Sequence, residues 1–455
     1  MMWCRRLGRV PYASRGCALC LAVCCLTVAT ARADAAEKPA GSRAAGPEAA
    51  IAEGNPSHGR FLRLFWFEKG IEHGNPITNR RFRVNDPSVG LHAEFGKRSE
   101  ARGNGMLQIE LTEPLPGIEA AELALELWGG HPGTANKRVS VNGRSSYAIP
   151  EIGTAAGQCT HHYPVIPLER SDLVQAHNAF QFSCDRGDSF WGHFIVDNAC
   201  LRVELDSRHP TLAAARLAGF QARVVAAPSS GPLLGLALEA PPEFRERIAA
   251  VDFQGYYDGF DENGDGRTRD WHGMTKDRQP CEQLGTAVDA PFALAWDTTM
   301  LVSQSDMAVR ALVRFKGHDD LIYLTPPLTG LATPPKERVL RFAPAGLPKP
   351  FWSRVSRRKP CEIVFDAEPQ EVAAAELRVV VWDGGTEKIE TPLSWNGRPL
   401  GFHSDGKHDV KSLRLKIDPS WLQHGTNVFE LISDTEHHGI EVLLPGPELF
   451  VRLKR

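Results

Sequence analysis

An acidic, glycine-bearing segment of the chain has the spacing of a cation-binding loop. Side-chain oxygens occur at alternate positions in Asp261, Asn263 and Asp265, and Gly266 follows where a sharp turn is needed. This pattern matches the first half of a helix–loop–helix calcium loop, in which oxygen donors converge on the ion. The second half does not match, because position 12 is His272 rather than a bidentate Glu. The sequence therefore predicts a non-standard, structural calcium site, and the alternative is a turn capped by its own Asx side chains. Further candidate ligands are Asp258 and Asp270.

A second set of residues has the chemistry of a carbohydrate-binding surface. Aromatic rings offer flat faces to pyranose rings, and imidazole, amide and carboxylate groups form hydrogen bonds with hydroxyls. Predicted loops in the first half of the chain combine both types. We therefore expect the ligand-binding residues to be Trp128, Tyr163, Trp191 and His193. The alternative for Trp128 is core packing, because Trp382 stands at the equivalent position of an internal repeat.

The same loops could instead support catalysis. Asp197, His193 and the pair His161-His162 could supply an acid and a base for glycosidic cleavage or β-elimination, and three histidines could bind zinc. The sequence contains no HExxH spacing, no serine nucleophile elbow and no phosphate-binding glycine loop. No catalytic residue is therefore assigned from the sequence.

An internal repeat organises the chain that carries these residues. The motif of the first copy is Ala120-Ala121-Glu122-Leu123, Trp128, Gly130 and Asn142-Gly143-Arg144. With a constant shift of 254 positions, it recurs as Ala374-Ala375-Glu376-Leu377, Trp382, Gly384 and Asn396-Gly397-Arg398. We expect two domains of one fold, at 59–208 and 338–455, on either side of a middle domain at 226–335.

The periodicity of the repeat is that of strands. Leu123, Leu125 and Leu127 alternate with Ala124 and Glu126, and the second copy repeats the pattern. A period of two is typical of antiparallel sheets with one solvent-facing side. The Asn-Gly pairs at 142–143 and 396–397 predict tight hairpin turns, because both residues tolerate positive φ. Only residues 212–220 suggest a short helix, so the sequence predicts an all-β fold.

The motif of the second copy continues past the hairpin. It reads Trp395-Asn396-Gly397, Leu422, Gly425 and Asn427-Val428-Phe429-Glu430-Leu431. The first copy carries Val141-Asn142-Gly143 but has Ala176-His177 at the Gly-x position. This pattern resembles the galactose-binding-domain-like jelly roll, in which the Asn-Gly turn joins two strands and the Gly-x-Asn segment enters the next. The resemblance implies a jelly-roll β-sandwich in each copy and leaves the ligand open, since many such domains brace enzymes.

The middle domain has a pattern of its own. Pro291 to Thr298 reads Pro-Phe-Ala-Leu-Ala-Trp-Asp-Thr and lies between segments of alternating apolar residues. It resembles the bacterial immunoglobulin-like sandwich that serves as a spacer in secreted carbohydrate-active proteins. The resemblance implies that Trp296 packs between two sheets and that Asp297-Thr298 begins a turn. The expected architecture is therefore all-β, with three β-sandwich domains in the order jelly roll, immunoglobulin-like, jelly roll.

The N-terminus has the pattern of a cleaved signal peptide. Arginines precede the uncharged apolar stretch 17–31, and Ala31-Arg32-Ala33 supplies a small-x-small cleavage site. Residues 1–33 are thus the predicted signal and 34–58 a flexible leader, which indicates a secreted or periplasmic protein. Five of the ten cysteines leave with the signal, so an odd number remains in an oxidising compartment. Among those that remain, Cys184 and Cys200 could form one bridge.

Composition excludes several functional classes. The 455 residues contain 52 Lys+Arg and 55 Asp+Glu, so no basic excess favours nucleic acid as a partner. Beyond the signal, no uncharged apolar run approaches the ~20 residues of a membrane span. Cleavage removes five arginines and no acids, which leaves 47 against 55 and a net charge of −8. We expect a secreted, non-catalytic protein that binds extracellular polysaccharide. The alternatives are a polysaccharide lyase or glycoside hydrolase with its groove in the first domain, and a structural cell-surface protein.

Overall fold

The computed structural model describes residues 58–67, 71–72, 75–76, 82–85, 105–130, 134–152, 160–185, 193–228, 232–334 and 338–454. The predicted signal peptide lies outside these residues, as does the predicted leader up to residue 57. Strands dominate the described residues, and the sheets are antiparallel and curled. The all-β prediction with sandwich-type domains is confirmed. Among the described residues, no helix is both long and apolar enough to cross a membrane.

The first sandwich is built from strands β1 to β12. Their bounds are β1 Arg60–Trp66, β2 Ile71–Glu72, β3 Asn75–Pro76, β4 Phe82–Asn85, β5 Met106–Leu111, β6 Ile118–Trp128, β7 Ala135–Val141, β8 Ser145–Ala148, β9 His161–His162, β10 Val165–Leu168, β11 Ala176–Asp185 and β12 His193–Leu205. One layer contains β10, β6, β12 and β1, and the other contains β5, β11, β7 and β8. Leu123, Leu125 and Leu127 of β6 are buried between the layers, as the alternation predicts.

The middle sandwich is built from β13 to β23. Their bounds are β13 Arg223–Ala227, β14 Leu233–Glu239, β15 Ile248–Asp258, β16 Arg269–Trp271, β17 Met274–Lys276, β18 Gln279–Cys281, β19 Gly285–Ala287, β20 Ala293–Asp297, β21 Met307–Phe315, β22 His318–Leu324 and β23 Leu328–Leu331. Trp296 is buried with its ring 5.3 Å from that of Tyr257, and Asp297 Oδ1 accepts a hydrogen bond from Thr299 N. Both roles expected of Trp296 and Asp297 are confirmed, whereas the immunoglobulin-like assignment itself stays a prediction.

Helical structure is confined to short segments. Helix α1 spans Pro210–Ala214, and His209 caps it by accepting a hydrogen bond from Thr211 N at 3.3 Å. The short helix predicted at 212–220 therefore begins earlier and ends sooner than expected. The 3-10 turns are Arg170–Asp172, Pro242–Arg247, Pro369–Glu371 and Pro419–Trp421.

The second copy is built from β24 to β33. Their bounds are β24 Val339–Phe342, β25 Trp352–Ser353, β26 Arg357–Phe365, β27 Val372–Asp383, β28 Leu393–Trp395, β29 Arg398–Pro399, β30 Asp409–Ile417, β31 Gly425–Ser433, β32 Ile440–Val442 and β33 Glu448–Leu453. Its layers contain β24, β33, β27, β32, β25 and β30 on one side and β26, β31, β28 and β29 on the other. The order β26-β31-β28-β29 matches β5-β11-β7-β8 of the first copy, whereas β32 and β33 together take the place of the single strand β12.

The two copies also share a hydrogen-bond network around the Asn-Gly turn. In the second copy, Asn396 Nδ2 donates to Asn427 Oδ1 at 2.8 Å, and Asn396 Oδ1 accepts from Val428 N at 2.8 Å. In the first copy, Asn142 and Asn178 make the equivalent bond at 2.9 Å. The turn asparagine thus ties its hairpin to the neighbouring strand, which explains why the motif pairs an Asn-Gly with a distant Asn.

Strand β1 joins the first and middle sandwiches. Phe61 pairs with Leu205 of β12 on one side and with Tyr323 of β22 on the other. One sheet therefore runs through both sandwiches in the order β10-β6-β12-β1-β22-β21-β15-β16. One hydrophobic core, which contains both Phe180 of the first sandwich and Phe253 of the middle one, lies along one face of this sheet. The second copy has its own core, and a small apolar cluster containing Phe260 and Phe450 connects it to the middle sandwich.

The suggested bridge between Cys184 and Cys200 is not formed, because Cys200 is a free thiol. Cys184 belongs to the core of the first sandwich, whereas Cys200 is buried on the other face of β12. The sheet that contains β12 therefore lies between the two side chains. Cys159 lies outside the described residues.

Candidate functional site

Ionisable side chains cluster on the outer face of β6, β9 and β12, the face turned away from the core. His161 Nε2 lies 3.0 Å from Asp197 Oδ2, and both side chains are largely buried. The ring of Tyr163 meets that of His161 edge-on, with centroids 5.2 Å apart. Glu126 lies on the same face and is 5% exposed. The structure thus brings together residues that the sequence separates by up to seventy positions.

Burial sets the protonation of this cluster. It raises the pKa of Glu126 to about 7, against the opposing effects of the His161 charge and of a hydrogen bond from Asp277 N at 3.0 Å. Burial and the carboxylate of Glu126 also raise the pKa of Tyr163 well above its usual value of 10. A carboxyl group that titrates near neutral pH can donate or accept a proton under physiological conditions. The sequence did not identify Glu126, because an acidic residue between Leu125 and Leu127 in an alternating strand is expected to face solvent.

His161 and His162 do not act as a pair. Successive side chains of a strand point to opposite faces, and His162 lies inside the first sandwich rather than beside Asp197. Burial, together with the charges of His161 and Lys137, lowers the pKa of His162 to about 3, so this ring is neutral. Lys137 is itself buried and is paired with Glu151. Among the described residues, no group of three His, Cys, Asp or Glu side chains is arranged to hold a metal ion.

The predicted sugar-binding residues lie in different settings. Trp128 ends β6 and is half-buried, and Tyr163 is half-buried within the ionisable cluster. His193 begins β12 opposite Asn85. Trp191 lies outside the described residues. None of the four is tested by the structure as a ligand contact, so these assignments stay predictions.

The predicted calcium loop forms a turn braced by its own side chains. Asp261 accepts hydrogen bonds from Asp265 N at 3.0 Å and from Gly266 N at 2.8 Å, and Asn263 Oδ1 accepts from Asp265 N at 3.1 Å. Burial raises the pKa of Asp261 to about 6, and burial with a hydrogen bond to Asp270 raises that of Asp265 to about 7. Ionising both Asp261 and Asp265 in this buried setting costs free energy unless a counter-ion is present.

The residue at position 12 of the loop has a structural role. His272 is buried, with Nδ1 2.8 Å from Glu262 Oε1 and Nε2 3.0 Å from Tyr257 O. Burial alone would lower the pKa of His272. The charge and hydrogen bond of Glu262, with the hydrogen bond to Tyr257 O and the charge of Asp270, act in the opposite direction, and the net effect raises the pKa. The ring stacks on Tyr257 at 3.7 Å. His272 therefore anchors the end of the loop to the core, and a ligand from position 12 is not available.

A second aromatic cluster lies at the end of β27. Trp382 is half-buried, the ring of His408 stacks on it at 5.4 Å, and His438 meets it edge-on at 6.0 Å. His408 and His438 are exposed and adopt positive φ angles of 57° and 58°. The sequence identified Trp382 through the repeat, but His408 belongs to no motif. Its place beside Trp382 follows only from the pairing of β27 with β30.

Comparisons with known proteins do not assign a family. No protein-family model and no curated protein matches the chain. Similar solved structures include a β-porphyranase of glycoside hydrolase family 86 from Bacteroides plebeius, at 9% identity and a TM-score of 0.22, over 51% of this chain and 36% of that chain. They also include a DUF4785 family protein from Legionella pneumophila, at 9% identity and a TM-score of 0.20, over 92% of this chain and 89% of that chain. The chain spans about a third of the length of the porphyranase. Similarity this low carries no argument about function.

Proposed function

We propose that the protein is an exported, non-catalytic carbohydrate-binding protein. The observation that supports this most directly is the pair of half-buried tryptophans, Trp128 and Trp382, at the same strand end in the two copies. A flat indole at the rim of a sandwich offers a stacking face to a sugar ring, and neighbouring imidazoles offer hydrogen bonds to its hydroxyls. Two such surfaces on one chain suit a polymeric ligand, because engagement of one raises the effective concentration of the other.

The backbone around Trp382 supports a binding role. A positive φ is unfavourable for non-glycine residues and costs on the order of 1 kcal/mol. His408 and His438 both bear this cost, and both rings contact Trp382. Strain of this kind is typical of ligand sites.

A glycan array, followed by calorimetry on the best ligand, tests the proposal. Trp382→Ala and His438→Ala should weaken binding about tenfold or more, as for a central contact. Trp421→Phe is the control, because Trp421 lies in the 3-10 turn at 419–421, outside the Trp382 cluster. Wild-type affinity in Trp382→Ala and Trp128→Ala, singly and together, would contradict the proposal.

A second candidate function is acid–base catalysis on a polysaccharide, and the cluster around Glu126 favours it. Glu126 could serve as a general acid, since its pKa is about 7, with the His161–Asp197 pair as the base. New reducing ends or unsaturated uronates released from defined polysaccharides would reveal this activity. Glu126→Gln should abolish such release and leave binding unchanged.

We also propose that the loop at 261–266 binds structural calcium. The oxygen-bearing side chains of Asp261, Asn263 and Asp265 at alternate positions, on a turn that Gly266 closes, support this proposal, because a calcium ion takes oxygen ligands in such a loop. Calcium should raise the melting temperature relative to chelator, and Asp265→Asn should remove the difference. Identical melting curves with calcium and with chelator would refute this site.

A further inference from the structure

The continuous sheet has a second face, on the side opposite the core. Core residues of β1, of β21 and of the part of β12 that follows its bulge occupy odd positions, such as Phe61, Val313 and Val203. Even-numbered residues therefore point the other way, and the register aligns Leu62 with Ile322 across β1 and β22. Both side chains are only half-buried. We call this surface the outer face.

Arginines of β1, β12 and β21 project from the outer face, and one of them, Arg314, pairs with Asp252 at 2.8 Å. Arg60 pairs with Glu204 at 3.2 Å, and Arg202 pairs with Glu122 at 2.8 Å. Arg310 of β21 has no carboxylate partner among the described residues. Its Nε donates instead to the neutral Gln254 Oε1 at 3.0 Å.

Arg310 lies on the outer face of β21, and β22, β1 and β12 separate β21 from β6 in the continuous sheet. The side chains whose charges act on Arg310 are Arg60, Arg202, Glu122 and Asp270.

The environment of Arg310 leaves its charge unbalanced. Burial and the like charges of Arg60 and Arg202 together lower the pKa of its guanidinium to about 9, against the opposite effects of Glu122 and Asp270. Asp270 is engaged elsewhere, by the carboxyl of Asp265 and by Arg267 at 3.8 Å. A half-buried cation without a counter-ion is unfavourable unless a ligand supplies one.

The geometry of Arg310 suits a two-pronged anion. Its guanidinium lies over the ring of Trp271, with Cζ 4.1 Å from the ring centroid, and the contact with Gln254 fixes its orientation. The two Nη groups carry four N–H donors that find no acceptor among the described residues. Such a fork matches the paired oxygens of a carboxylate or sulfate.

We propose that the outer face binds an anionic group of an extracellular polysaccharide, a carboxylate or a sulfate, with Arg310 as its direct partner. The inference rests on the proposed carbohydrate-binding function and names the ligand class. It places the anionic contact in the first and middle sandwiches, whereas Trp382 lies in the second copy. The negative net charge of the whole chain does not oppose it, because Arg310 itself has no carboxylate partner among the described residues.

Affinity electrophoresis of the full chain tests the proposal with matched polymers. Polygalacturonate is compared with its highly methyl-esterified form, and dextran sulfate with dextran, so that each pair differs in charge. The wild-type chain should be retarded by at least one anionic polymer and not by its neutral counterpart. The two pairs separate a carboxylate ligand from a sulfate ligand.

Variants at Arg310 identify the contact. Arg310→Gln should weaken anionic binding about tenfold or more, and Arg310→Lys should retain part of it, since lysine keeps the charge but loses the fork. Arg245→Gln, an exposed arginine in the 3-10 turn at 242–247, should bind as wild type. If Arg310→Gln does not fold, the anionic binding of Arg310→Lys is compared with that of the wild type instead, and weaker binding by the variant identifies Arg310 as the contact.

The binding results separate the anion site at Arg310 from the proposed carbohydrate-binding function. Equal binding by the wild type, Arg310→Gln and Arg310→Lys overturns the inference, as does equal retardation by charged and neutral polymers. If the chain binds neutral glycans through Trp382 but binds no anionic polymer, the proposed function is supported and the anion site at Arg310 is overturned. If the chain binds no glycan, both the proposed function and the anion site are overturned.

Discussion

Glu126 shows how much a single position depends on its surroundings. Its side chain is 5% exposed, and its pKa is raised from 4.5 to about 7 by burial. Between these values the folded state holds a proton that the unfolded state has lost. Stability therefore falls as the pH rises from about 4.5 to about 7, by up to about 3 kcal/mol, and stays level above that range.

Replacing this carboxyl should remove its share of the pH dependence. Glu126→Gln keeps an acceptor for Asp277 N but cannot ionise, so the variant should gain stability over the wild type at pH 8 and little at pH 4.5. Urea unfolding at several pH values measures the difference. Glu119→Gln, on an exposed position of the same strand, controls for the loss of one carboxylate. If the free energy of unfolding varies with pH in the same way for Glu126→Gln and the wild type, Glu126 is not the source of the pH dependence.

Ala176 marks a second residue-scale difference between the copies. It adopts a φ of 107° where the second copy has Gly425 at 91°, so alanine occupies a conformation that favours glycine. Ala176→Gly should stabilise the protein by about 0.5–1 kcal/mol, and Gly425→Ala should destabilise it by about 1 kcal/mol or more. A Cβ at Gly425 would meet no atom within 4 Å, so the effect is one of backbone strain. Ala373→Gly, at an exposed strand position without positive φ, should have the opposite sign to Ala176→Gly in urea unfolding.

At the scale of elements, the paired asparagines hold each hairpin to its neighbouring strand. Asn427 donates to Gln423 O at 2.7 Å and to Gly425 O at 3.1 Å, and its Oδ1 accepts from Asn396 Nδ2. The residue is fully buried, so its removal leaves several unsatisfied groups. Asn427→Ala should cost about 2–4 kcal/mol, and Asn178→Ala a similar amount. Asn136→Ala, which removes an exposed contact with Asp185, should cost far less in the same denaturation assay.

The elements that the sequence predicted are those encoded locally. Strand periodicity and the Asn-Gly turns depend on neighbouring residues, and the shift of 254 positions places β6 over all but the last residue of β27. The contact between His161 and Asp197 could not be predicted, because a bulge in β12 between Val196 and Asn198 sets the position of Asp197. His408 was missed for a related reason, since its contact with Trp382 depends on a long-range strand pairing. The carbohydrate candidates came from residue type alone, which does not report which face of a strand a ring occupies.

At the scale of the whole molecule, the sequence suggested separate sandwiches, and β1 connects two of them. Its pairing with β22 joins residues some 260 positions apart, and no local pattern encodes such a contact. The shared sheet also brings Arg310 of the middle sandwich onto the same face as Arg60 and Arg202 of the first, because its strands are continuous from β12 to β21. Folding and the proposed anion site therefore depend on the same strand.

This continuity predicts how the protein unfolds. Phe180 of the first sandwich and Phe253 of the middle one belong to one core, whereas Phe429 belongs to the core of the second copy. Each is fully buried, so replacement by alanine should cost about 3–5 kcal/mol. In scanning calorimetry, Phe180→Ala and Phe253→Ala should lower the same transition, because β1 couples their sheets. Phe429→Ala should act chiefly on a different transition, since only the small cluster around Phe260 and Phe450 links the second copy to the rest. Separate transitions for Phe180→Ala and Phe253→Ala would show that β1 does not couple the two sandwiches.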